Sequence, residues 1–254
     1  MSPVAVVTGG GTGIGAATAT RLAADGFEVI VLGRRLGPLQ EVAARVPGVR
    51  AMVLDVTDSV AVAVAAAEIG VCDVLVNNAG GALGADPVAT GSAEQWRAMF
   101  EVNTIGTLLV TQALLPALRR SSGATIVNLS STAGLGTYEG GGGYTAAKHG
   151  LSALTETLRL ELNGTQVRVV EVCPGMVRTD DFALTRFQGD QAKADKVYEG
   201  VDRPLVADDV AACVAFCVAL PQHVNVDRLV VKPVAQAAQH KVWRQPIPWD
   251  GAGD

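Results

Sequence analysis

The stretch VAVVTGGGTGIG, residues 4–15, decides the fold. Its β-branched start predicts a buried strand, and the Ala/Leu-rich residues that continue to position 24 predict a helix. A glycine-rich turn between a strand and a helix suits the phosphates of a nucleotide, because backbone N–H groups and the positive helix end converge there. The glycines follow a GxxxGxG spacing, and a P-loop is excluded because no Lys-Ser or Lys-Thr follows the last of them.

The same alternation of strand and helix continues along the whole chain. Strand-like runs lie at 4–7, 28–32, 49–54, 74–76, 125–129, 167–172 and 228–231. Helical runs lie at 14–24, 39–46, 59–67, 93–118, 144–162 and 207–220. This order predicts an α/β fold: a single doubly wound (Rossmann) domain over residues 1–254, with a seven-stranded parallel sheet and helices on both faces. We expect the irregular stretch at about 176–203 to be a substrate lid and residues from about 240 to 254 to be a surface tail.

Composition narrows the class of protein. The 254 residues are 49% hydrophobic and 18% charged, which excludes a disordered chain, and a net charge of −5 argues against a nucleic-acid partner. The sequence has no clean apolar run of about 20 residues and no leader pattern, so we expect a cytoplasmic protein without a membrane partner. Four cysteines without a CxxC pair agree with a reducing cytoplasm, and three histidines without ligand spacing predict no metal site.

Residues at the end of the second predicted strand indicate which cofactor the protein prefers. A carboxylate at this position commonly holds a ribose 2′-OH, whereas Arg34 and Arg35 stand here, and arginine matches the oxygens of a 2′-phosphate. The cofactor predicted from these residues is therefore NADP(H). Asp55, at the end of the third strand, is a candidate acceptor for an adenine amino group, or else part of a helix start.

A catalytic pair is predicted at Tyr144 and Lys148. Their spacing of four residues puts both side chains on one helix face, and a nearby ammonium favours the phenolate form of a tyrosine. Ser131 lies thirteen residues earlier, at the carboxyl end of the fifth strand, where ligands of open α/β sheets bind. Gly140 to Gly143 allow the intervening loop to bring the tyrosine back beside the serine hydroxyl.

Taken together, these motifs resemble the short-chain dehydrogenase/reductase family over essentially the whole chain. The residues that carry the resemblance are TGGGTGIG at 8–15, Asn77-Asn78-Ala79-Gly80, Asn103, Ser131, Tyr144xxxLys148, and Pro174-Gly175 followed by Thr179. The resemblance implies that Tyr144 exchanges a proton with the carbonyl oxygen, that Ser131 bonds that oxygen, and that Lys148 acts on the tyrosine and the nicotinamide ribose. It also implies that Asn103 kinks its helix and anchors a water that relays protons to Lys148.

The residues expected to contact the cofactor come from six places along the chain. They are Gly9, Gly11, Thr12, Gly13, Ile14, Arg34, Arg35, Asp55, Val56, Asn78, Ala79, Gly80, Tyr144, Lys148, Pro174, Gly175, Val177 and Thr179. Asn77 is equally a structural residue or a binding residue. Tyr138 lacks a lysine four positions on, so we assign it to the substrate-side loop, and His149 to a structural role.

The sequence indicates the reaction more closely than it indicates the substrate. The lid and the C-terminal stretch resemble the branch of the family that oxidises 3-hydroxy acids such as serine and reduces the corresponding semialdehydes. A 3-hydroxy acid needs a cation, and Arg178 and Arg186 are the candidates. The alternatives are a broad-specificity ketone or aldehyde reductase, an isomerase or dehydratase, and a non-catalytic module that senses NADP(H). The apolar helical runs 93–118 and 144–162 predict a homodimer or homotetramer.

Overall fold

A seven-stranded parallel sheet forms the centre of the computed structural model, which describes residues 2–179 and 181–249. The strand order is β3-β2-β1-β4-β5-β6-β7. The strands are β1 Val4–Thr8, β2 Glu28–Gly33, β3 Val49–Val53, β4 Val74–Asn77, β5 Ala124–Leu129, β6 Val167–Pro174 and β7 Arg228–Val231. The predicted doubly wound sheet is thus confirmed, and the order reverses between β1 and β4, where such folds bind ligands.

Helices cover both faces of the sheet. The larger ones are α1 Gly13–Ala24, α2 Leu36–Arg45, α3 Ser59–Ile69, α4 Ala93–Phe100, α5 Gly106–Arg120, α6 Gly142–Glu161 and α9 Ala207–Ala219. Successive strand side chains alternate between two cores: Val6 packs with α3 and α5, while Ala5 and Val7 pack with α1, α2 and α9. Burial on both faces explains why the strands read as continuous apolar runs instead of an alternating pattern.

The predicted helix at 93–118 is interrupted. A π-helical turn, Glu101–Ile105, joins α4 to α5, and the buried Asn103 lies within it. The Asn103 Nδ2 group donates to Met99 O at 2.7 Å and to Gly81 O at 2.9 Å, so the widened turn points this side chain at the loop after β4. The combined run Ala93–Arg120 has the length and apolar composition to cross a membrane, a property that core helices of soluble proteins share.

The two segments expected to be irregular contain secondary structure. Short helices α7 Phe182–Arg186 and α8 Gln191–Tyr198 occupy the predicted lid, and strands β8 Gln236–Ala238 and β9 Lys241–Val242 form a hairpin that ends inside the predicted tail. These helices are too short for a clear periodic pattern, which is why the sequence indicated a loop. The last part of the tail, residues 250–254, lies outside the described residues.

Candidate active site

The glycine-rich turn after β1 is shaped as a phosphate cradle. Gly9 and Gly13 adopt positive φ angles of 63° and 52°, and a Cβ on Gly15 would clash with Gly9 O. The Asn78 side chain braces the turn by donating from Nδ2 to Thr8 O at 2.9 Å and to Gly9 O at 3.2 Å. The backbone is therefore open to close approach and already fixed, as a pyrophosphate site at the start of α1 requires.

A cavity of about 490 Å³ opens from this turn along the carboxyl ends of the strands. All the residues expected to contact the cofactor line it: Gly9, Gly11, Thr12, Gly13, Ile14, Arg34, Arg35, Asp55, Val56, Asn78, Ala79, Gly80, Tyr144, Lys148, Pro174, Gly175, Val177 and Thr179. Ser131 lines it as well, whereas Asn103 does not. The volume of the cavity and the distribution of these residues along it fit an extended dinucleotide, with the glycine turn beneath its phosphates.

The end of the cavity beside β2 carries the predicted phosphate-binding arginines. Both side chains are exposed, and Arg35 Nη2 lies 2.7 Å from Asp181 Oδ2, an acidic residue absent from the predicted site. The Arg35 guanidinium lowers the pKa of the Asp181 carboxyl. A 2′-phosphate on Arg35 would compete with this exposed ion pair, which is itself of small energy.

Asp55 stands at the same end of the cavity. Its Oδ1 accepts from Thr57 N at 3.0 Å and from Thr57 Oγ1 at 2.8 Å, and the Thr57 backbone N–H lowers the pKa of the carboxyl. Asp58, not Asp55, caps α3 by accepting from Val60 N and Ala61 N. Asp55 therefore lies in the turn that leads into α3 without capping the helix itself, and the contact with an adenine amino group stays a prediction.

The predicted catalytic residues meet deeper in the cavity. Lys148 Nζ donates to Leu129 O at 2.8 Å and lies 5.8 Å from the centroid of the Tyr144 ring. The Ser131 hydroxyl accepts from Ala133 N at 3.1 Å, donates to Pro174 O at 3.4 Å, and lies close enough to the Tyr144 hydroxyl to lower its pKa. A phenol, a hydroxyl and an ammonium thus converge at one point on the carboxyl edge of the sheet.

Burial changes the acid–base properties of both members of the pair. It raises the pKa of Tyr144, against smaller lowering effects from the Ser131 hydroxyl and the Arg186 guanidinium. Burial also lowers the pKa of Lys148 from its ordinary 10.5 to about 8. In the protein by itself, the direction for Tyr144 is opposite to the predicted one, because desolvation of the phenolate outweighs the neighbouring charges.

Asn103 and Asn77 lie behind the cavity and hold its walls. Asn103 Oδ1 accepts from Gly81 N at 3.2 Å, and a Cβ on Gly80 would clash with that oxygen. Asn77 Nδ2 donates to Thr111 Oγ1 at 3.0 Å and to Asn128 Oδ1 at 2.9 Å. Asn77 is therefore structural, and the water-anchoring role implied for Asn103 stays a prediction.

The substrate side of the cavity contains one of the two predicted cations. Arg186 donates from Nε to Gly84 O at 3.0 Å, from Nη1 to the Tyr138 hydroxyl at 3.1 Å and from Nη2 to Gly140 O at 3.1 Å. Arg178 does not line the cavity, and its guanidinium lies 5.1 Å from the centroid of the Tyr198 ring. Arg186 therefore lies near Tyr144, while the Arg178 guanidinium stays outside the cavity lining, against the Tyr198 ring.

Several lining residues were not predicted from the sequence. Gln236 Oε1 accepts from Met176 N at 2.8 Å, and Gln236 Nε2 donates to Gln239 Oε1 at 3.1 Å, so the hairpin after β7 forms part of the wall. The Phe182 ring, from the lid, packs edge-on against the Tyr144 ring with centroids 5.9 Å apart. No local motif marks Gln236 or Gln239, because only the tertiary fold brings their segment to the cavity, whereas Phe182 lies in the stretch expected to be a substrate lid.

The family profile described as short chain dehydrogenase matches residues 3–188 of the chain. Because this match covers well over half of the sequence, the chain belongs to the short-chain dehydrogenase/reductase family and is an oxidoreductase of that family. The predicted family, enzyme class and fold are thereby confirmed.

Individual relatives add detail. Sulfoacetaldehyde reductase 2 of Chromohalobacter salexigens is 41% identical over 245 residues, covering 93% of this chain and 96% of the relative. Serine 3-dehydrogenase of Agrobacterium fabrum is 38% identical over 251 residues, covering 96% and 100%. The closed form of serine dehydrogenase complexed with NADP⁺ matches with a TM-score of 0.88 at 37% identity, covering 92% of this chain and 96% of that one. These findings agree with the predicted cofactor, NADP(H).

Proposed function

We propose that this enzyme transfers a hydride between NADP(H) and a small substrate that carries one anionic group, such as a 3-hydroxy acid or the corresponding semialdehyde. The observation that supports it is the position of Arg186. Four cations line the described cavity: Arg34 and Arg35 lie at the β2 end and Lys148 is buried, which leaves Arg186 on the substrate side. The two relatives are named after serine and sulfoacetaldehyde, which are small molecules of this kind.

In the proposed complex, the protein residues hold the dinucleotide along the cavity. The glycine turn receives the pyrophosphate, Arg34 and Arg35 the 2′-phosphate, and Asp55 the adenine amino group. At the other end, Thr179 and the backbone of Val177 are assigned to the carboxamide and Lys148 to the ribose hydroxyls. Bound NADP(H) would supply or accept the hydride, and the protein supplies the proton chemistry.

The proton step is assigned to Tyr144. Because burial keeps its hydroxyl protonated, Tyr144 is suited to donate to a carbonyl oxygen as negative charge develops there. Ser131 bonds the same oxygen, and the ammonium of Lys148 stabilises the phenolate that the transfer leaves behind. In the oxidative direction the same groups act in reverse, with Tyr144 accepting the alcohol proton.

Arg186 is assigned to the anionic group. Its five N–H donors serve three protein acceptors, and the guanidinium sits beside Tyr138 and close enough to Tyr144 to lower the pKa of that tyrosine. A carboxylate or sulfonate held by Arg186 would therefore lie within a few bonds of the oxygen that Tyr144 protonates. Phe182 and Tyr198 line the same cavity and provide apolar walls around the uncharged part of a compact substrate.

The test compares a hydroxy acid with its neutral ester. For the wild type, kcat/KM with 3-hydroxybutanoate and NADP⁺ should exceed that with methyl 3-hydroxybutanoate by about 10- to 100-fold, the worth of one charge-assisted contact. Arg186→Met should remove this preference. Arg178→Met, on the same segment but outside the cavity lining, should keep it.

The ratio of kcat/KM for the acid to kcat/KM for the ester separates a loss of anion recognition from a general loss of activity. Arg186 also holds Gly84 and Gly140, so loss of both activities together would report a disturbed loop. A wild-type enzyme that prefers the ester, or an Arg186→Met variant that keeps the acid preference, would refute the proposal. A preference of the wild type for the neutral ester would instead favour the broad-specificity reductase.

A further inference from the structure

A buried carboxylate lies behind the catalytic pair and has no part in the chemistry assigned so far. Glu171, on β6, is fully buried; its Oε1 accepts from Ser152 Oγ and its Oε2 accepts from Arg228 Nε at 2.6 Å. Arg228 stands opposite Glu171 in the β6–β7 register and donates from Nη2 to Glu156 Oε1 at 2.8 Å. This ordered chain of charges runs from the surface to the interior of the sheet.

The chain reaches both segments that carry catalytic groups. Ser152 lies four residues after Lys148 on the same face of α6, and its Oγ is 3.3 Å from Ser130 Oγ. Ser130 in turn stands between Leu129, whose carbonyl receives Lys148 Nζ, and Ser131. The Glu171 side chain is therefore connected, through two hydroxyls, to the strand end that positions Ser131 and Lys148.

Lys148 is short of counter-charge from elsewhere. It is 4% exposed, and the acceptor bonded to its ammonium among the described residues is a neutral carbonyl. The titratable groups around it are Tyr144 on α6 and Cys173 and Glu171 on β6, with Arg228 and Glu156 beyond. Burial lowers the pKa of Lys148, and Cys173 and Glu171 act in the opposite direction.

We propose that Glu171 is a positioning residue for catalysis: through Ser152 and Ser130 it fixes the strand end at Ser131, and its carboxylate supplies the buried negative charge that holds Lys148 as an ammonium. This inference rests on the proposed function, because its effect is read in the proton transfer by Tyr144. A purely structural ion pair would stabilise the fold without changing the acid–base behaviour of the site.

The pH profile of alcohol oxidation tests whether the negative charge of Glu171 acts on Lys148. The rate of this reaction rises as the coupled Tyr144–Lys148 pair loses a proton, and its apparent pKa belongs to the pair. Glu171→Gln keeps the shape of the side chain but removes the negative charge, so this apparent pKa should fall by about 0.5 to 1 unit. Glu156→Gln is the matched control: it neutralises the exposed end of the same chain and should shift the profile by less than about 0.2 unit.

Arg228→Gln provides a second test that does not depend on the Glu171 variant folding. Removal of this cation leaves the Glu171 charge less compensated, so the apparent pKa should rise. Opposite shifts in the two variants would support the inference. Unchanged profiles in whichever variants keep the circular dichroism spectrum of the wild type would overturn it, even if their thermal stability falls.

The separate failure of the proposed function would look different. In that case the wild type itself would oxidise neither the hydroxy acid nor its ester, and there would be no profile to shift. A measurable wild-type profile that Glu171→Gln leaves in place would count against Glu171 alone. Ser152→Ala keeps the charge and removes the hydroxyl link, so kcat should fall several-fold without a shift in the apparent pKa.

Discussion

Lys148, the proposed catalytic lysine, should destabilise the folded protein. Its pKa is lowered by burial from 10.5 to about 8, and a shift of this size corresponds to about 3 kcal/mol between the folded and unfolded states. The unfolded chain binds the lysine proton up to the ordinary pKa, whereas the folded chain binds it only up to the lowered one. Folding stability should therefore rise between about pH 8 and pH 10.5, and it lacks this contribution at pH 7.

Lys148→Met removes the charge and keeps a long unbranched side chain. The substitution also leaves Leu129 O without its donor, at a cost of about 1 kcal/mol. At pH 7 the variant should thus be more stable than the wild type by about 2 kcal/mol, while it loses most of the oxidoreductase activity. Near pH 10 the difference between variant and wild type should fall to about zero. The folded-state lysine is then neutral while the unfolded chain still binds most of its proton, and the remaining cost of about 1 kcal/mol is offset by the hydrogen bond to Leu129 O that the variant lacks.

The assay is urea unfolding of both proteins without cofactor at pH 7 and pH 10, followed by circular dichroism. Taking the difference between variant and wild type cancels the tyrosines and cysteines that titrate in the same range. Lys196→Met, at an exposed position on α8, should show no such pH dependence. The reasoning is refuted if Lys148→Met is destabilised by the same amount at both pH values, because the lysine would then carry no desolvation cost.

Three further outcomes follow from other parts of the molecule. Arg34→Asp, at the β2 end of the cavity, should reduce the preference for NADPH over NADH by about 10- to 100-fold in a comparison of kcat/KM values. Asp202→Ala removes the acceptor of Ile247 N and Trp249 Nε1, so limited proteolysis should cut the C-terminal segment faster, with little change in the melting temperature. Leu160 on α6 is 78% exposed, and Phe100 and Phe216 are also exposed; we therefore expect light scattering at micromolar concentration to report a dimer or tetramer, and a monomer mass would contradict this.

The strand and helix pattern was predictable because strands that are buried on both faces consist of continuous apolar runs. Runs such as Thr125 to Leu129 are typical of strands that are covered on both faces, and the glycine turn indicates where the first helix begins. The residues around the cofactor site were predictable for a different reason: in a doubly wound sheet, the carboxyl ends of the strands meet at one edge whatever conformation the loops adopt. The sequence therefore indicated which residues gather there without any knowledge of their contacts.

The acid–base state of the site could not be predicted in the same way. The four-residue spacing of Tyr144 and Lys148 correctly put them on one helix face, but it carries no information about water access. Desolvation decides the direction for Tyr144, and it arises from packing by residues such as Ala82, Met99 and Phe182, which lie far from the motif in sequence. The spacing of two residues gives only their neighbours along the helix, whereas a pKa depends on everything that surrounds the group.

The C-terminal segment shows the same limit for architecture. Its prolines and glycines are typical of a surface tail, yet Asp202 Oδ2 accepts from Ile247 N at 2.9 Å and from Trp249 Nε1 at 2.7 Å. Arg203 adds a stacking contact, 4.7 Å from the centroid of the Trp249 ring. Because Val197 and Tyr198 of the adjoining helix line the cavity, residues at the end of the chain support the wall that faces the substrate. Such a contact joins positions about 45 apart and follows no period, so only the folded structure reveals it.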